Sequence, residues 1–354
     1  MEPWEGQAGA REYRFAAREV GDALIAVAKG ASYQTAAAAS RRQAARVPTP
    51  REGAGRGWRR RRDPVRDGQL VANWVDVFTG LVCEGQLPER WPSRLLIDSK
   101  NFRVITGARS GRGFHVFAAM GCEKGEPGKW APAPALWRLE PFPHRDRASW
   151  EAFFGALDGA PEVIVSDADH AMACAIQSVF GSDTEHRLCE WHLSRKLREH
   201  LPDTVLADPR HPITHALPHA FASPRAWEQL EGAIQADHSH GEHSSLTLAR
   251  RWLQTYGQRI QTQVRSRDPN HPNSTGPVEK TLLEIDRRIG DRIGSFTNRA
   301  RMAKLLALMT LDLNGHTDGR QWADRLRERL YLAGGRPNNQ RPHDDPKGTY
   351  SLIS

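Results

Sequence analysis

The sequence predicts an α/β fold in which helices cover a mixed β-sheet. Three strand-like apolar segments come first, at residues 94–102, 113–123 and 134–143, with glycine-containing turns between them. A helical pattern follows at 147–159, and strand and helix patterns then alternate over 161–201. The order β-β-β-α-β-α-β-α combines hairpin strands with later crossovers, which indicates both antiparallel and parallel strands in one sheet.

Composition narrows the classes of function. The 354-residue chain is 39% hydrophobic and 26% charged, which is ordinary for a globular protein. It contains no run of about 18 apolar residues and no apolar signal-peptide core, so we expect neither a membrane span nor export. Its four scattered cysteines, without a CxxC pair, fit a reducing cytoplasm.

Positive charge is concentrated in the first part of the chain. Residues 1–67 contain 14 Lys and Arg against 8 Asp and Glu, and so carry +6 of the net charge of +8. Such an arm favours a polyanionic partner, most often nucleic acid, although an Arg- and Ala-rich genome produces the same bias. The basic run at 59–62 suits either phosphate contacts or a solvated charge run. It comprises Arg59, Arg60, Arg61 and Arg62.

The first 46 residues have the order of a helix-turn-helix. Residues 11–29 have an apolar helical face, Gly30 ends that helix, and an Ala-rich segment follows. We expect Ser40 to cap a further, basic helix that enters the major groove. That helix would carry Arg41, Arg42 and Arg46. The alternative is an Ala-rich helical hairpin without a DNA contact.

These patterns divide the chain into six predicted units. They are a helix-turn-helix region (1–46), a basic linker (47–67), the first part of the sheet-containing core (68–199), an all-helical insertion (200–272), one or two long C-terminal helices of the core (273–333) and a disordered tail (334–354).

Two acidic residues follow buried strand patterns. Asp98 ends the apolar run RLLID, and Asp167 ends PEVIVSD. If the strands are neighbours, both carboxylates lie at one sheet edge, where open α/β sheets place their sites. Two carboxylates at short range repel unless a cation lies between them, and oxygen ligands favour Mg²⁺ or Mn²⁺ over zinc. The alternative is that each aspartate caps the element after it.

The segment VIVSDADHAMACAIQSVFGSDTEHRLCEWHLSRKL joins the second aspartate to a Cys-x-x-His pair. This segment resembles, along its whole length, the corresponding block of Mutator-type DDE transposases of bacterial insertion sequences. The resemblance of the chain to that family covers roughly residues 92–310. The resemblance implies a ribonuclease-H-like core and double-stranded DNA, at element ends and target, as the partner. It also implies a homo-oligomer in the DNA complex and a cytoplasmic, nucleoid-associated protein.

The third acid that the resemblance implies is Glu279. It follows Gly-Pro-Val in the first turn of a helical pattern, where the helix dipole alone also favours an acid, and its rivals are Glu284 and Asp286. By this resemblance Asp98 would bridge two Mg²⁺ or Mn²⁺ ions, and Asp167 and Glu279 would hold one each. DNA cleavage would then be phosphoryl transfer, with water and later a 3′-OH as the nucleophile.

Basic and aromatic residues around these acids complete the candidate contacts. Lys100 and Arg103 follow the first aspartate and could bind the DNA backbone. Three arginines after the third acid form either a phosphate contact or a solvated helix face; they are Arg287, Arg288 and Arg292. Three tryptophans are expected in the core rather than in base stacking, namely Trp191, Trp227 and Trp252.

Cys189 and His192 form the Cys-x-x-His pair and share one helix face at i,i+3 spacing. A structural zinc ion needs four protein ligands, and the sequence offers no obvious second pair. We therefore expect both side chains to pack beside the acidic site or to orient it.

The expected function is that of an active transposase. Two alternatives stay open, a catalytically inactive DNA-binding protein derived from a transposase and a nuclease of the same fold. The presence of all three acids favours catalysis, and the helical insertion and the Cys-x-x-His pair favour a transposase over a simple nuclease.

Overall fold

The computed structural model describes residues 17–44, 67–106, 109–123, 133–236, 246–268, 271–290 and 298–333. Several predicted features lie outside these residues, namely Arg46, the basic run Arg59–Arg62, Arg292 and the tail at 334–354. The side chains of Arg41, Arg42 and Arg103 are likewise outside the described part, although their backbone is included. No helix among the described residues is long and apolar enough to span a bilayer.

One five-stranded mixed sheet forms the centre of the molecule. Its strands are β1 (Arg94–Thr106), β2 (Arg109–Cys122), β3 (Ala135–Phe142), β4 (Val163–Ser166) and β5 (Glu185–Leu188). Their spatial order is β3-β2-β1-β4-β5. β1, β2 and β3 pair antiparallel as consecutive hairpins, whereas β4 pairs parallel to β1, and β5 parallel to β4. The α/β class with a mixed sheet, predicted from the element order, is confirmed, and so is the ribonuclease-H-like arrangement that the family resemblance implies.

Helices cover both faces of the sheet because β-strand side chains alternate between faces. On one face, Leu95 and Ile97 of β1 contact the aromatic residues of α4 (Arg147–Phe154) and the apolar side of α5 (His170–Phe180). The opposite face, which includes Leu96, packs against helices from both ends of the chain. They are α1 (Ala17–Ala28), α3 (Gly68–Cys83), α11 (Gly276–Gly290), α12 (Arg299–Leu313) and α13 (Gly319–Ala333).

The segment after β5 is helical throughout its described part. After α6 (Glu190–Glu199) it forms α7 (Asp203–Ala207), α8 (Pro212–Ala216), a 3₁₀ turn (Leu217–His219), α9 (Pro224–Ala236) and α10 (Thr247–Arg265). These helices share a separate apolar core around Trp227 and Trp252. Gln263 of α10 donates to the Leu188 carbonyl (2.7 Å) and accepts from its N–H (2.9 Å), so α10 covers the edge strand β5.

Asp98 does not end its strand, contrary to the sequence-based expectation. β1 continues to Thr106, because β2 pairs with it far beyond the aspartate, with Asp98 opposite Ala118. Its parallel neighbour β4 is only four residues long and ends at Ser166. The sheet edge near Asp98 is therefore created by the end of β4 and not by the end of β1.

The N-terminal helices also differ from the expected pattern. α2 runs without a break from Tyr33 to Ala44, so Ser40 lies inside it and does not cap a new helix. The physical reason is that the buried Ser40 hydroxyl donates to Glu19 of α1 and is not available to cap a backbone N–H. α1 joins the same apolar core as the sheet. The helix-turn-helix assignment for residues 1–46 therefore stays a proposal.

The described residues of the range 273–333 form three helices rather than the one or two that were expected. The second break falls at Asn314–Gly315, where Gly315 has a φ of +92° that favours glycine and turns the chain into α13. Arg288 ties α11 to α12 and to α1, because its guanidinium donates to Asp312 (2.7 Å) and to the Ala28 carbonyl (2.9 Å). Both charged side chains are nearly inaccessible, at 10% and 3% exposure.

Arg288→Met should lower the free energy of unfolding by about 3 kcal/mol, because it leaves the buried Asp312 without its main counter-charge. Urea denaturation measures the loss. Arg287→Met, one residue earlier, removes a side chain that is 71% exposed and should change little. Equal losses in the two variants would contradict the structural role of Arg288.

His186 of β5 gives the fold a pH dependence. Burial, with a contribution from Arg259, lowers the pKa of His186 to about 3, and its Nε2 lies 2.7 Å from the Ser166 hydroxyl. The unfolded chain takes up this proton near pH 6.5, whereas the folded protein does not, so stability should fall as the pH drops from about 6.5 towards 3. His186→Gln should flatten that decline in urea titrations; an unchanged pH profile would refute the assignment.

Candidate active site

The register of β1 and β4 brings Asp98 and Asp167 to the same level of the sheet. Leu96 pairs with Val165 at the last parallel position, and each aspartate lies two residues further along its own chain. Strand alternation puts Asp98 on the same face as Leu96, which is the face that α11 covers. Asp98 is thus directed towards the helix that carries Glu279.

Asp98 is a buried carboxyl group in an acidic environment. It is only 8% exposed, and its Oδ1 accepts a 2.7 Å hydrogen bond from the Ser99 N–H. Burial raises the pKa of Asp98 to about 6; the Ser99 N–H opposes the shift, and the negative charges of Asp167 and Glu279 add to it. A cation placed among these groups would relieve both the desolvation and the repulsion.

Glu279 lies in the first turn of α11, with its N–H bonded to the Thr275 carbonyl (3.0 Å). Its Oε1 lies 3.3 Å from Nε2 of His192. Ligand atoms of Asp98, His192 and Glu279 all lie within 4.8 Å of one another. The rival acids on α11 are engaged elsewhere, since Glu284 pairs with two arginines of its own helix and Asp286 pairs with Lys100 at 2.7 Å.

The Cys-x-x-His pair connects α6 to the start of α11. Cys189 is fully buried at the N-terminus of α6, and its Sγ accepts from both the N–H and the hydroxyl of Thr275, each at 3.3 Å. The same hydroxyl lies 3.3 Å from Nδ1 of His192. The chain that carries Glu279 is therefore attached to α6 through side chains 86 residues apart in sequence.

Electrostatics couple His192 to the acids. Burial alone would lower the pKa of His192, but its hydrogen bond with Cys189 and the charges of Cys189, Asp98 and Glu279 outweigh burial and raise it. A protonated imidazole would offset part of the negative charge, and a neutral one would offer a nitrogen ligand. Sequence reasoning placed this histidine beside the site but did not include it among the possible metal ligands.

Asp167 occupies a different environment from the other two acids. Its Oδ2 accepts a 2.6 Å charge-assisted hydrogen bond from Nη2 of Arg145, and Asp169 Oδ2 lies 3.0 Å from Nε of the same arginine. It is not part of the three-residue group around His192. Arg145 was missed in the sequence because a single arginine in the β3–α4 connection has no spacing that relates it to Asp167.

The predicted basic contacts divide into two kinds. Lys100 and Arg287 are accessible, although each pairs with an acid of α11. Arg288 is almost fully buried in its ion pair with Asp312, so its described role is structural. Among the tryptophans, Trp227 and Trp252 are buried as expected, whereas Trp191 is 46% exposed and carries Arg195 over its ring. Trp191 is exposed because its helix presents Leu193 and Leu197, not the indole, to the insertion core.

The donor set suits a divalent ion. Carboxylate oxygens from β1 and α11 converge, which fits Mg²⁺ or Mn²⁺, and the neighbouring imidazole is better tolerated by Mn²⁺ than by Mg²⁺. Asp167 could join them from the end of β4 once its oxygen is free of Arg145. The arrangement therefore fits a metal-dependent hydrolytic or phosphoryl-transfer site.

Comparison with known proteins gives little further guidance. No family model and no curated protein matches the chain. A solved structure, the Drosophila P element transposase strand transfer complex, is similar at 11% sequence identity, with 90% of this chain and 92% of that chain covered and a TM-score of 0.29. A likeness this slight carries no functional argument.

Thr275→Val should reduce the free energy of unfolding by about 1–2 kcal/mol, because it keeps the shape but leaves the buried Cys189 and the half-buried His192 without their hydroxyl partner. Urea denaturation measures this change. Thr310→Val is the matched control, since that buried hydroxyl bonds only a carbonyl of its own helix (2.9 Å). A loss no larger than that of the control would show that the Thr275 network does not anchor α11.

Proposed function

We propose that this protein is a DDE transposase that cleaves and joins DNA at the ends of a mobile element. The observation that carries the proposal is the convergence of Asp98 from β1 and Glu279 from α11 within 4.8 Å of each other, beside Asp167 at the end of β4. Asp98 lies in a strand, and Asp167 directly after a strand, of a sheet whose strand order is ribonuclease-H-like. The similarity of the segment at 163–197 to Mutator-type enzymes agrees with the same assignment.

The chain's own residues would supply position and electrostatics. Asp98, Asp167 and Glu279 would hold two Mg²⁺ or Mn²⁺ ions, which in such sites activate the attacking oxygen and stabilise the leaving one. The burial of Asp98 would fix its carboxylate against the sheet and exclude bulk water from one side of the reaction. His192, held by Cys189 and Thr275, would keep Glu279 in place.

Double-stranded DNA is the proposed substrate. Water would attack the phosphodiester first, and the released 3′-OH would then attack target DNA, so no covalent enzyme intermediate is required. Lys100 on β1 and Arg287 on α11 have accessible side chains that could contact phosphates. The basic N-terminal region, with Arg41 and Arg42 on α2, would bind the element end, and two or more copies would assemble on paired ends.

Asp98→Asn, Asp167→Asn and Glu279→Gln should each reduce Mn²⁺- or Mg²⁺-dependent strand cleavage by about a thousandfold. The substrate is a duplex with the inverted repeat that flanks the coding sequence, and product 3′ ends are quantified on denaturing gels. Glu284→Gln and Asp286→Asn are controls on the same helix as Glu279 and should retain cleavage.

The pattern of products separates the proposal from its two alternatives. Cleavage followed by joining to a target plasmid supports a transposase. Cleavage of many duplexes without joining would identify a nuclease, and sequence-specific end binding without cleavage by the wild type would identify a regulator. Equal cleavage by the wild type and Asp98→Asn would refute the assigned chemistry.

A further inference from the structure

Arg145 contacts both Asp167 of the candidate site and Asp169 at the start of α5. It lies in the short connection between β3 and α4, and its side chain is 31% exposed. The connection is fixed on one side by β3, whose Phe142 pairs with His115, and on the other by Asp146, which caps α4 through the Ser149 N–H (2.8 Å). The backbone at Arg145 is thus held between two regular elements.

Both oxygens of Asp167 are already engaged. Oδ1 accepts a long bond from the Asp169 N–H (3.3 Å), and Oδ2 accepts the 2.6 Å bond from Arg145. Asp169 itself is committed to its helix, because its Oδ1 caps α5 at the Met172 N–H (2.9 Å). While that bond to Arg145 persists, the guanidinium takes up one lone-pair direction of Oδ2, and its positive charge opposes a cation at the same carboxylate.

The guanidinium of Arg145 does not use all of its hydrogen-bond donors. Its Nε is buried and makes no hydrogen bond of acceptable geometry, although Asp169 Oδ2 is 3.0 Å away. One positive charge therefore faces two carboxylates through a single well-formed hydrogen bond. A divalent cation carries twice that charge and binds carboxylate oxygen directly, so it can displace the guanidinium.

We propose that Arg145 is a positioning residue that occupies Asp167 in the metal-free protein and gives up that carboxylate when a divalent ion binds. This inference rests on the proposed function, since it takes Asp167 to be a metal ligand. Arg145 would hold Asp167 in place and offset its charge until the ion arrives. The cost is weaker metal binding, because only molecules in which the pair has opened are competent to complete the site.

The test measures metal affinity, not turnover. Mn²⁺ binding is titrated by electron paramagnetic resonance on the full chain, in the wild type, Arg145→Gln and Arg145→Lys. Removing the competitor should tighten Mn²⁺ binding by roughly three- to tenfold in Arg145→Gln. Arg145→Lys keeps the charge but loses the planar fork, so it should tighten binding by less. Far-UV circular dichroism establishes that each variant is folded.

Lys100→Gln is the matched control for charge. Lys100 lies two residues from Asp98 and pairs with Asp286, so its removal also leaves one unpaired carboxylate near the site without touching Asp167. Clearly tighter binding in Arg145→Gln than in Lys100→Gln supports competition at Asp167. Equal tightening in the two variants would overturn the inference, because it would show a general effect of charge. Weaker Mn²⁺ binding in Arg145→Gln would also overturn it, because Arg145 would then support metal binding.

Two further variants separate this inference from the proposed function. Asp98→Asn and Asp167→Asn should each weaken Mn²⁺ binding if both carboxylates are ligands. Loss of affinity in both, with no change in Arg145→Gln, would refute only the competition. Unchanged affinity in Asp98→Asn would instead refute the proposed metal site itself.

Discussion

The parallel pairing of β1 with β4 is the constraint on which the rest of the site depends. Because β4 ends after four residues while β1 continues along β2, Asp98 lies opposite the point where the parallel neighbour ends. The next residue of the β4 chain is Asp167, and both acids are thus fixed by backbone register. Side-chain packing of α11 then adds Glu279. Such a concentration of negative charge on a rigid sheet cannot relax by moving apart, which is why each acid has a counter-charge or donor nearby.

The helical insertion does not disturb this geometry, because the chain segments at its two ends are in contact with each other. Residues on either side of the insertion meet at the start of α6, where the Glu190 N–H donates to the Asn273 carbonyl (3.1 Å) and Arg267 pairs with Glu190 (3.0 Å). Cys189 and Thr275 form the adjoining buried contact. The insertion has its own apolar core, so its internal packing is separate from that of the sheet-containing core. Glu279 is positioned by this junction and not by the helices between.

Sequence patterns predicted the element order well because strand and helix periodicities are local. Features that depend on contacts between distant parts of the chain were predicted wrongly, because local periodicity carries no information about such contacts. The length of β1 depends on β2, a partner that no pattern around Asp98 reveals, and the continuity of α2 through Ser40 depends on the buried Glu19 of another helix. Asp98 and Asp167 were proposed because each follows an apolar run, whereas Glu279 was proposed from the family resemblance. The bond between Arg145 and Asp167 joins side chains from separate loops, which periodicity does not relate.

The two basic residues beside the three acids, His192 and Arg145, differ in how firmly they are held. His192 adjoins the buried pair of Cys189 and Thr275 and contacts Glu279 from that position. Arg145 has a longer side chain, and its Nε makes no well-formed hydrogen bond, so its contact with Asp167 is the more easily broken of the two. A metal ion entering the site would therefore meet Asp98 and Glu279 in nearly final positions, whereas Asp167 would be added by exchange of its partner. Asp98 and Glu279 would therefore bind the ion before Asp167, because the partner of Glu279 is held in place by the fold whereas the partner of Asp167 can be displaced.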